Sequence, residues 1–345
     1  MTLKRPHITL LFSLLVLITI VLAFLDIVLG SIKIQLEDVI KAMFGEAERE
    51  SWQYIIREIR MPRVVTTLLA GSGLAVAGLL MQSLFRNPLA GPYVLGISSG
   101  ASLGVAIFVM SSGMAIFGTE VRVFAEWGQV ISAVAGSLLV FLLIILVAAK
   151  LRDSVSLLIV GIMFGSMSTA LVSILQYFSR PDLVQKFVIW TMGSLSSTTW
   201  DQLIVLSPFI LSGLIMSITL IKPMNALLLG ENNARATGVN VIRLRYLILI
   251  TASIIIGALT AYTGPIAFIG LAVPHLVRLL FGSGNHRLIL PGSILSGAAL
   301  LLICDILSQV PGRNYVLPVN AITALFGGPV ILWIIIGRKR LRSSF

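Results

Sequence analysis

The 345-residue chain is 57% hydrophobic and only 11% charged, which is too little charge to cover a soluble domain and indicates a polytopic, all-α membrane protein. Its net charge of +11 does not indicate a nucleic-acid partner, because the basic residues are scattered over loops and the C-terminus instead of lining one face. The one cysteine, Cys304, excludes an internal disulfide and a thiolate metal cluster.

The first apolar run, residues 8–25, follows Lys4 and Arg5. A secretory signal peptide has the same charge pattern, but its apolar region is shorter and ends at a small-residue cleavage site. No such site follows this run before Asp26. The sequence therefore predicts an uncleaved first span.

The rest of the chain alternates long apolar runs with short polar loops. Each membrane-spanning helix needs roughly 20 apolar residues, so the length allows about ten spans and leaves little room for a soluble domain. We predict a single transmembrane domain over residues 1–345. The predicted spans are 8–29, 64–84, 93–111, 128–149, 155–178, 202–221, 243–262, 265–281, 287–304 and 318–337.

The loop charges orient these spans. An even number of spans puts both termini on the same side of the membrane. Lys4, Arg5 and the basic cluster at 338–342 make that side the cytoplasm, because positive charge is retained inside. In this arrangement fifteen of the 25 lysines and arginines fall on the cytoplasmic side, where only Asp153 and Glu231 oppose them.

Residues 36–59 are too polar to cross the membrane. Trp52, Ile55 and Ile59 nevertheless recur in them at helical spacing. This pattern predicts an amphipathic helix that lies on the outer surface.

Residues 182–200 form a second outer segment that is short and aromatic. Indole side chains concentrate at membrane–water boundaries. We therefore interpret Trp190 and Trp200 as interfacial anchors and not as a ligand cage.

Small residues form stripes on two predicted spans. Gly96, Gly100 and Gly104 recur every four residues, and Gly161 and Gly165 make a second pair. Within lipid, such stripes let helix backbones approach closely. They predict a tightly packed bundle and carry no information about substrate.

The sequence contains no HExxH, GxSxG or P-loop motif, and His7, His275 and His286 stand far apart. We therefore expect no metal site, no cofactor and no ATP site in this chain. The ionisable residues fall near span ends, whereas proton-driven carriers keep such groups at mid-membrane. This distribution disfavours a self-contained ion-coupled carrier and a membrane-embedded enzyme, the two alternatives, and suggests energy supplied from outside the chain.

Four segments are more specific than generic membrane sequence. They are, in order, RMPR at 60–63, RNPLAGPYVLGISSGA at 86–101, ALLLGENNARATGV at 226–239, and GPIAFIGLAVPHLVR at 264–278, the last followed by His286-Arg287.

Together, these motifs resemble the FecCD-type permease family, the membrane subunits of ABC importers for iron-siderophores, haem and vitamin B12. The resemblance runs from about residue 30 to the C-terminus. It implies a type II ABC importer-like fold with both termini in the cytoplasm of a bacterial inner membrane. It further implies a homodimer with a second permease copy, two ABC ATPase subunits and a substrate-binding protein. The implied substrate is an iron-siderophore chelate, with haem or vitamin B12 as alternatives.

Within residues 224–240, Gly230, Ala234 and Gly238 recur every four residues and mark a short helix with one small-residue face. From the residues alone, an ordinary solvated loop is the alternative. The resemblance implies a coupling segment that seats on the ATPase through Gly230, Glu231, Ala234, Arg235 and Gly238.

Arg60 and Arg63 lie one turn apart at the predicted outer boundary, where arginines often snorkel toward water. The resemblance implies instead that they dock carboxylates of a substrate-binding protein. The family usually has an arginine soon after the aspartate that ends span nine, but this chain has Gln309 there. Arg313 is the nearest arginine and is the third docking candidate.

The resemblance also assigns a gate and a pore. It implies that the turn containing Asn87 and Leu89, which the residues alone describe only as a tight turn, closes the inner mouth of the pore together with Asp153 and Ser154. It further implies that span five lines the pore with a mildly polar wall that passes a large chelate without trapping it. The lining candidates are Met163, Ser166 and Thr169.

Overall fold

The computed structural model describes residues 5–112, 122–148, 154–309 and 316–336. Within these ranges the chain is helical with connecting turns and has no β-strand. The helices are α1 (Arg5–Val28), α2 (Leu36–Phe44), α3 (Glu50–Tyr54), a π segment (Ile55–Arg60), α4 (Met61–Phe85), α5 (Ile97–Ser112), α6 (Arg122–Ala148), α7 (Ser154–Phe178), α8 (Pro181–Thr191), α9 (Trp200–Thr219), α10 (Ile221–Leu228), α11 (Glu231–Ala236), α12 (Val241–Thr263), α13 (Ile269–Phe281), α14 (His286–Ser308) and α15 (Val319–Ile336).

The predicted all-helical, multi-span architecture is confirmed. In the described residues, 7 helices are long and apolar enough to cross a membrane, and the shorter apolar helices α5, α13 and α15 stand where the remaining spans are predicted. The predicted cytoplasmic placement of the termini concerns residues 1–4 and 337–345, which lie outside the described ranges.

α4 and α12 form the centre of the bundle. The apolar window of the segment containing α4 is 83% buried and that of α12 is 72% buried, against 6% for α1. α4 packs against α14, α12, α13 and α9. A helix enclosed on every side needs apolar or small residues all round, and α4 has them. α1 lies at the periphery of the bundle and packs mainly against α14.

The predicted glycine stripes lie at close helix contacts. A side chain at Gly100 would place its Cβ 2.6 Å from the carbonyl oxygen of Gly136 in α6, and one at Gly96 would lie 2.7 Å from that of Gly161 in α7. A Cβ at Gly78 would overlap the carbonyl oxygen of Gly270. These contacts let α5 touch α6 and α7, and α4 touch α13, backbone to backbone.

Residues 36–59 do not form one continuous surface helix. They divide into α2, α3 and most of the π segment, which runs without a break into α4. The backbone N–H of Met61 donates to the carbonyl of Ile56, the i to i−5 bond of a π turn. Val39, Ala42 and Ile56 pack against α1 and α14 in a separate small core.

The two tryptophans of the second outer segment both bind backbone. The Trp190 Nε1–H donates to the carbonyl of Ala261 at 3.0 Å, and the Trp200 Nε1–H donates to that of Arg57 at 2.8 Å. The indoles therefore join neighbouring helices and do not face each other around a ligand.

Candidate transport pathway and its polar joints

One end of the bundle is closed by a buried ion pair. Arg63, in the first turn of α4, donates from Nε to Asp305 Oδ2 at 2.6 Å and from Nη2 to Asp305 Oδ1 at 2.7 Å. The two side chains are 8% and 0% exposed. Such a two-point contact fixes the start of α4 against the end of α14.

Arg60 holds the end of α1. Its Nη1 donates to the carbonyls of Ile27 at 2.7 Å and Val28 at 2.9 Å, and its Nη2 donates to that of Ile32. The last carbonyls of a helix lack partners within the helix, so this guanidinium acts as a cap. Gly30 makes room for it, because a Cβ there would lie 2.6 Å from Arg60 Nη2.

These contacts correct the docking prediction for Arg60 and Arg63. Both arginines are buried within the single chain and are bonded to it, so neither offers a free guanidinium to another protein. Gln309 is also buried and donates to Asp26 Oδ1 at 2.8 Å. Arg313 lies outside the described residues.

α7 is attached to the bundle by a narrow stripe. Gly161, Gly165, Ser168 and Val172 are buried, and most of the rest of its circumference is exposed in the single chain. The stripe packs mainly on α5 and its preceding turn, where a Cβ at Gly161 would lie 2.8 Å from the Cα of Leu95.

The open face of α7 is uncharged and only weakly polar. Met163 is 58% exposed, and Ser166 and Thr169 are exposed beside it. The hydroxyls of Ser166, Thr169 and Ser173 donate to the carbonyls four residues earlier, at 2.9, 3.0 and 3.0 Å. Their protons are used within the helix, so this wall offers thioethers and hydroxyl lone pairs but no free donor from these three groups. The exposed circumference of α7 also carries Ile159, Ile162, Leu171 and Ile174, and the exposed face of α1 is mainly aliphatic as well.

The predicted gate turn follows α4 at the other end of that helix. Arg86 ends α4 in the left-handed region at φ 46°. The Leu89 backbone N–H then donates to Asn87 Oδ1 at 2.9 Å, a local turn that fixes the first residues of the loop. Asp153 lies outside the described residues. Ser154 begins α7, and its side chain is not described.

The predicted coupling segment is two short helices, α10 and α11. Gly230 precedes α11 at φ 111°, and Gly238 follows it at φ 83°. The prediction of a small-residue helix face is therefore wrong: both glycines serve as turns at the helix ends, where a positive φ favours glycine. Ala234 points inward and is fully buried.

The exposed side of α11 is polar. Asn232, Asn233 and Arg235 are exposed, and Glu231 is partly exposed. Glu231 pairs with Arg245 of α12 and, at 3.9 Å, with Arg235. A small polar surface therefore stands at the same end of the bundle as the gate turn.

A buried joint that no sequence motif predicts links these two features. His286, the first residue of α14, is 1% exposed. Its Nδ1 lies 2.8 Å from Asn225 Oδ1 in α10, and its Nε2 lies 2.7 Å from Ser83 Oγ in α4. The fourth motif includes His286, but no spacing in the sequence pairs it with residues so far away in the chain.

A second buried pair stands beside it. Arg278 Nη1 donates to Gln82 Oε1 at 2.6 Å, and Gln82 Nε2 donates to the carbonyl of Leu271 at 3.0 Å. Gln82 is fully buried. These bonds tie the end of α4 to α13.

Helices packed in this way, with an uncharged open face on α7 and polar joints at both ends of the bundle, are typical of a multi-span membrane protein. Residues 17–337 match the model of the FecCD transport family. The chain belongs to that family.

The relatives and solved structures agree with this assignment. The haemin transport system permease protein HmuU of Yersinia pestis is 36% identical over 305 residues, which cover 88% of this chain and 90% of that protein. The vitamin B12 import system permease protein BtuC of Salmonella paratyphi A is 33% identical over 292 residues, or 84% of this chain and 85% of that protein. A solved structure described as an inward-facing metal-chelate type ABC transporter matches with a TM-score of 0.80 at 27% identity, covering 95% of this chain and 99% of that chain.

The chain is therefore a multi-pass permease subunit of an ABC importer. Families of this kind work with an ATPase and a substrate-binding protein. The prediction of the family and its architecture from the four motifs is confirmed.

Proposed function

We propose that this permease imports an iron-siderophore chelate across a bacterial inner membrane, as a homodimer driven by two ABC ATPase subunits and supplied by a substrate-binding protein. The observation that carries the proposal is the open face of α7. This face carries aliphatic side chains, thioethers and hydroxyls that donate to their own helix. It has no charge to hold a chelate and little capacity to donate hydrogen bonds to it. Such a wall suits a large cargo that must pass without sticking.

In this proposal Met163, Ser166 and Thr169 line the pore between two copies. A closed two-fold pair is the commonest assembly of identical chains, and α7 has an uncovered face for it. Asn87 and Leu89 form the inner gate with Asp153 and Ser154. Membrane lipid covers the aliphatic faces, such as that of α1.

The ATPase contact is assigned to α11 and its flanking turns. Glu231 and Arg235 supply exposed charge, Ala234 anchors the helix from inside, and Gly230 and Gly238 set its direction. Exposed charges add little affinity, but they steer approach and fix register. Arg313 is the docking candidate for the binding protein, since Arg60 and Arg63 are buried.

The ATPase contact is tested by reversing one exposed charge. Arg235→Glu should reduce co-purification of the ATPase at least 10-fold. Arg180→Glu is the matched control, because its side chain is 70% exposed, against 63% for Arg235, and it lies at the start of α8, outside the coupling segment. Equal ATPase recovery with both variants would contradict the assignment.

Substrate choice needs a separate measurement. We expect proteoliposomes that contain the permease, its ATPase and its binding protein to accumulate a radiolabelled ferric siderophore. This uptake should require ATP on the side of the membrane where the ATPase is bound. Haem is the second candidate, favoured by the 36% identity to a haemin permease. Cobalamin is the third. ATP-dependent uptake of haem or cobalamin, with none of any ferric siderophore, would replace the proposed substrate and keep the permease assignment.

A further inference from the structure

We propose that His286 is a positioning residue that joins the ATPase-contacting segment to the gate turn, so that α10, the end of α4 and the start of α14 move as one unit. This inference rests on the proposed function and assigns a role to a residue that makes no contact with substrate or ATPase. His286 is buried at the point where the three helices meet.

The bonds of His286 define its tautomer. The Asn225 side-chain oxygen accepts the backbone N–H of His286 at 2.8 Å, and Asn225 Nδ2 donates to Asn285 Oδ1 at 2.9 Å. The amide of Asn225 is therefore oriented, and His286 Nδ1 faces an oxygen and must donate to it. Nε2 of the neutral ring is then left to accept from the Ser83 hydroxyl, whose single proton is shared with the carbonyl of Leu79 at 2.8 Å. One ring thus donates to α10 and accepts from α4.

Asn225 also caps α14 from outside. The first N–H groups of a helix have no partner within the helix. Here, the N–H of His286 is satisfied by Asn225, which belongs to α10, 61 residues earlier in the chain. The coupling segment is therefore bonded both to the ring of His286 and to the helix that carries it.

A further contact strengthens the joint. Arg86, directly after α4, donates from Nη2 to the carbonyl of Leu227 at the end of α10. Ser83 lies four residues before Asn87, where the gate turn begins, and Arg86 lies one residue before it. A force on α11 is thus delivered through α10 to the residues that hold the gate.

The alternative route through Glu231 and Arg245 is weaker. Those side chains are 38% and 49% exposed, and exposed ion pairs contribute little. The His286 bonds are sheltered from water, where a hydrogen bond is stronger and its loss more costly. The buried joint is therefore the stiffer connection between the ATPase contact and the rest of the bundle.

The test follows gate motion directly and does not depend on knowing the cargo. Tyr93 lies in the connection between α4 and α5, after the gate turn, and is 49% exposed. Tyr93→Cys can therefore carry a spin label in each copy of the dimer. The distance between the two labels is measured with and without ATP in the assembled complex, together with the rate of ATP hydrolysis. In the otherwise unchanged complex, ATP should shift the distance distribution.

His286→Phe should abolish at least half of that shift while ATP hydrolysis stays within about twofold of the parent. Ser83→Ala and His286→Asn should also reduce the shift, and by similar amounts, because each keeps the bond to α10 and loses the one to α4. These two milder variants keep the test valid if His286→Phe fails to assemble. His275→Phe is the matched control: His275 is 2% exposed, and neither ring nitrogen has a hydrogen-bond partner among the described residues.

The outcomes separate the two proposals. If the parent complex binds no ATPase, or shows no ATP-dependent shift, the proposed function fails and the positioning role falls with it. If the parent responds and all His286 and Ser83 variants respond equally, only the positioning role is overturned. A proportional fall of hydrolysis and gate shift, or an equal effect of His275→Phe, would also overturn it, because either result indicates general destabilisation.

Discussion

Among single substitutions outside the proposed pore, one that breaks the ion pair between Arg63 and Asp305 should reduce the stability of the fold most. Asp305→Asn preserves the side-chain shape and removes the charge, leaving the Arg63 guanidinium buried at 8% exposure. Breaking a buried pair in this way costs about 3–5 kcal/mol. The amide of Asp305→Asn keeps one oxygen that can accept a hydrogen bond from Arg63. We therefore expect the lower end of this range, about 3 kcal/mol.

The assay is thermal unfolding of the purified permease in one detergent. If 1 kcal/mol shifts the midpoint by roughly 2 °C, Asp305→Asn should lower it by roughly 6 °C. Asp182→Asn is the control, since its pair with Arg180 is 50% and 70% exposed and should change stability by less than about 1 kcal/mol. The combined variant Arg63→Met/Asp305→Leu should recover most of the loss, because neither charge is then stranded. A midpoint for Asp305→Asn within 1 °C of the parent, taken here as about the resolution of the assay, would refute the reasoning.

Three further predictions concern stability and use the same unfolding assay. Gly78→Ala should cost at least about 2 kcal/mol, because its Cβ would overlap the Gly270 backbone, which cannot rotate away; a neutral result would show that α4 and α13 can separate freely. Thr199→Ala should lower the free energy of unfolding by about 1 kcal/mol, because it removes the capping box at the start of α9. An unchanged unfolding midpoint would show that this cap does not stabilise the protein. His275→Leu should be neutral within about 1 kcal/mol or stabilising, since the ring nitrogens have no partner among the described residues; a loss above 2 kcal/mol would reveal a bond to another group.

Much of the fold is predictable because membrane solvation is a simple constraint. Backbone groups in lipid must be satisfied within helices, so apolar runs of sufficient length locate the spans with little ambiguity. The glycine stripe through Gly96, Gly100 and Gly104 identifies close helix contacts for the same reason, because only small residues permit them. These features depend on local sequence alone.

The candidate site was less predictable, because it depends on which residues from distant parts of the chain meet and on which way their side chains point. Arg60 has the sequence of a surface arginine, but it binds the carbonyls of Ile27 and Val28 at the end of α1, and no local pattern marks partners so far away in the chain. Gly230 and Gly238 have helical spacing but adopt positive φ, since periodicity does not distinguish a helix face from two helix ends. His286 meets Ser83 only because α4 and α14 pack side by side, which is tertiary information.

The π turn at Ile55–Arg60 also means that the orientation of the preceding helix depends on the number of residues in this stretch. Deleting any one of them would allow a regular α-helix to form, and the indole of Trp52 and everything before it would swing to another side of the bundle. A substitution here acts only at its own position, whereas a gain or loss of one residue changes the helix face of every residue before it. Sequence variation in this connection should therefore occur without insertions or deletions.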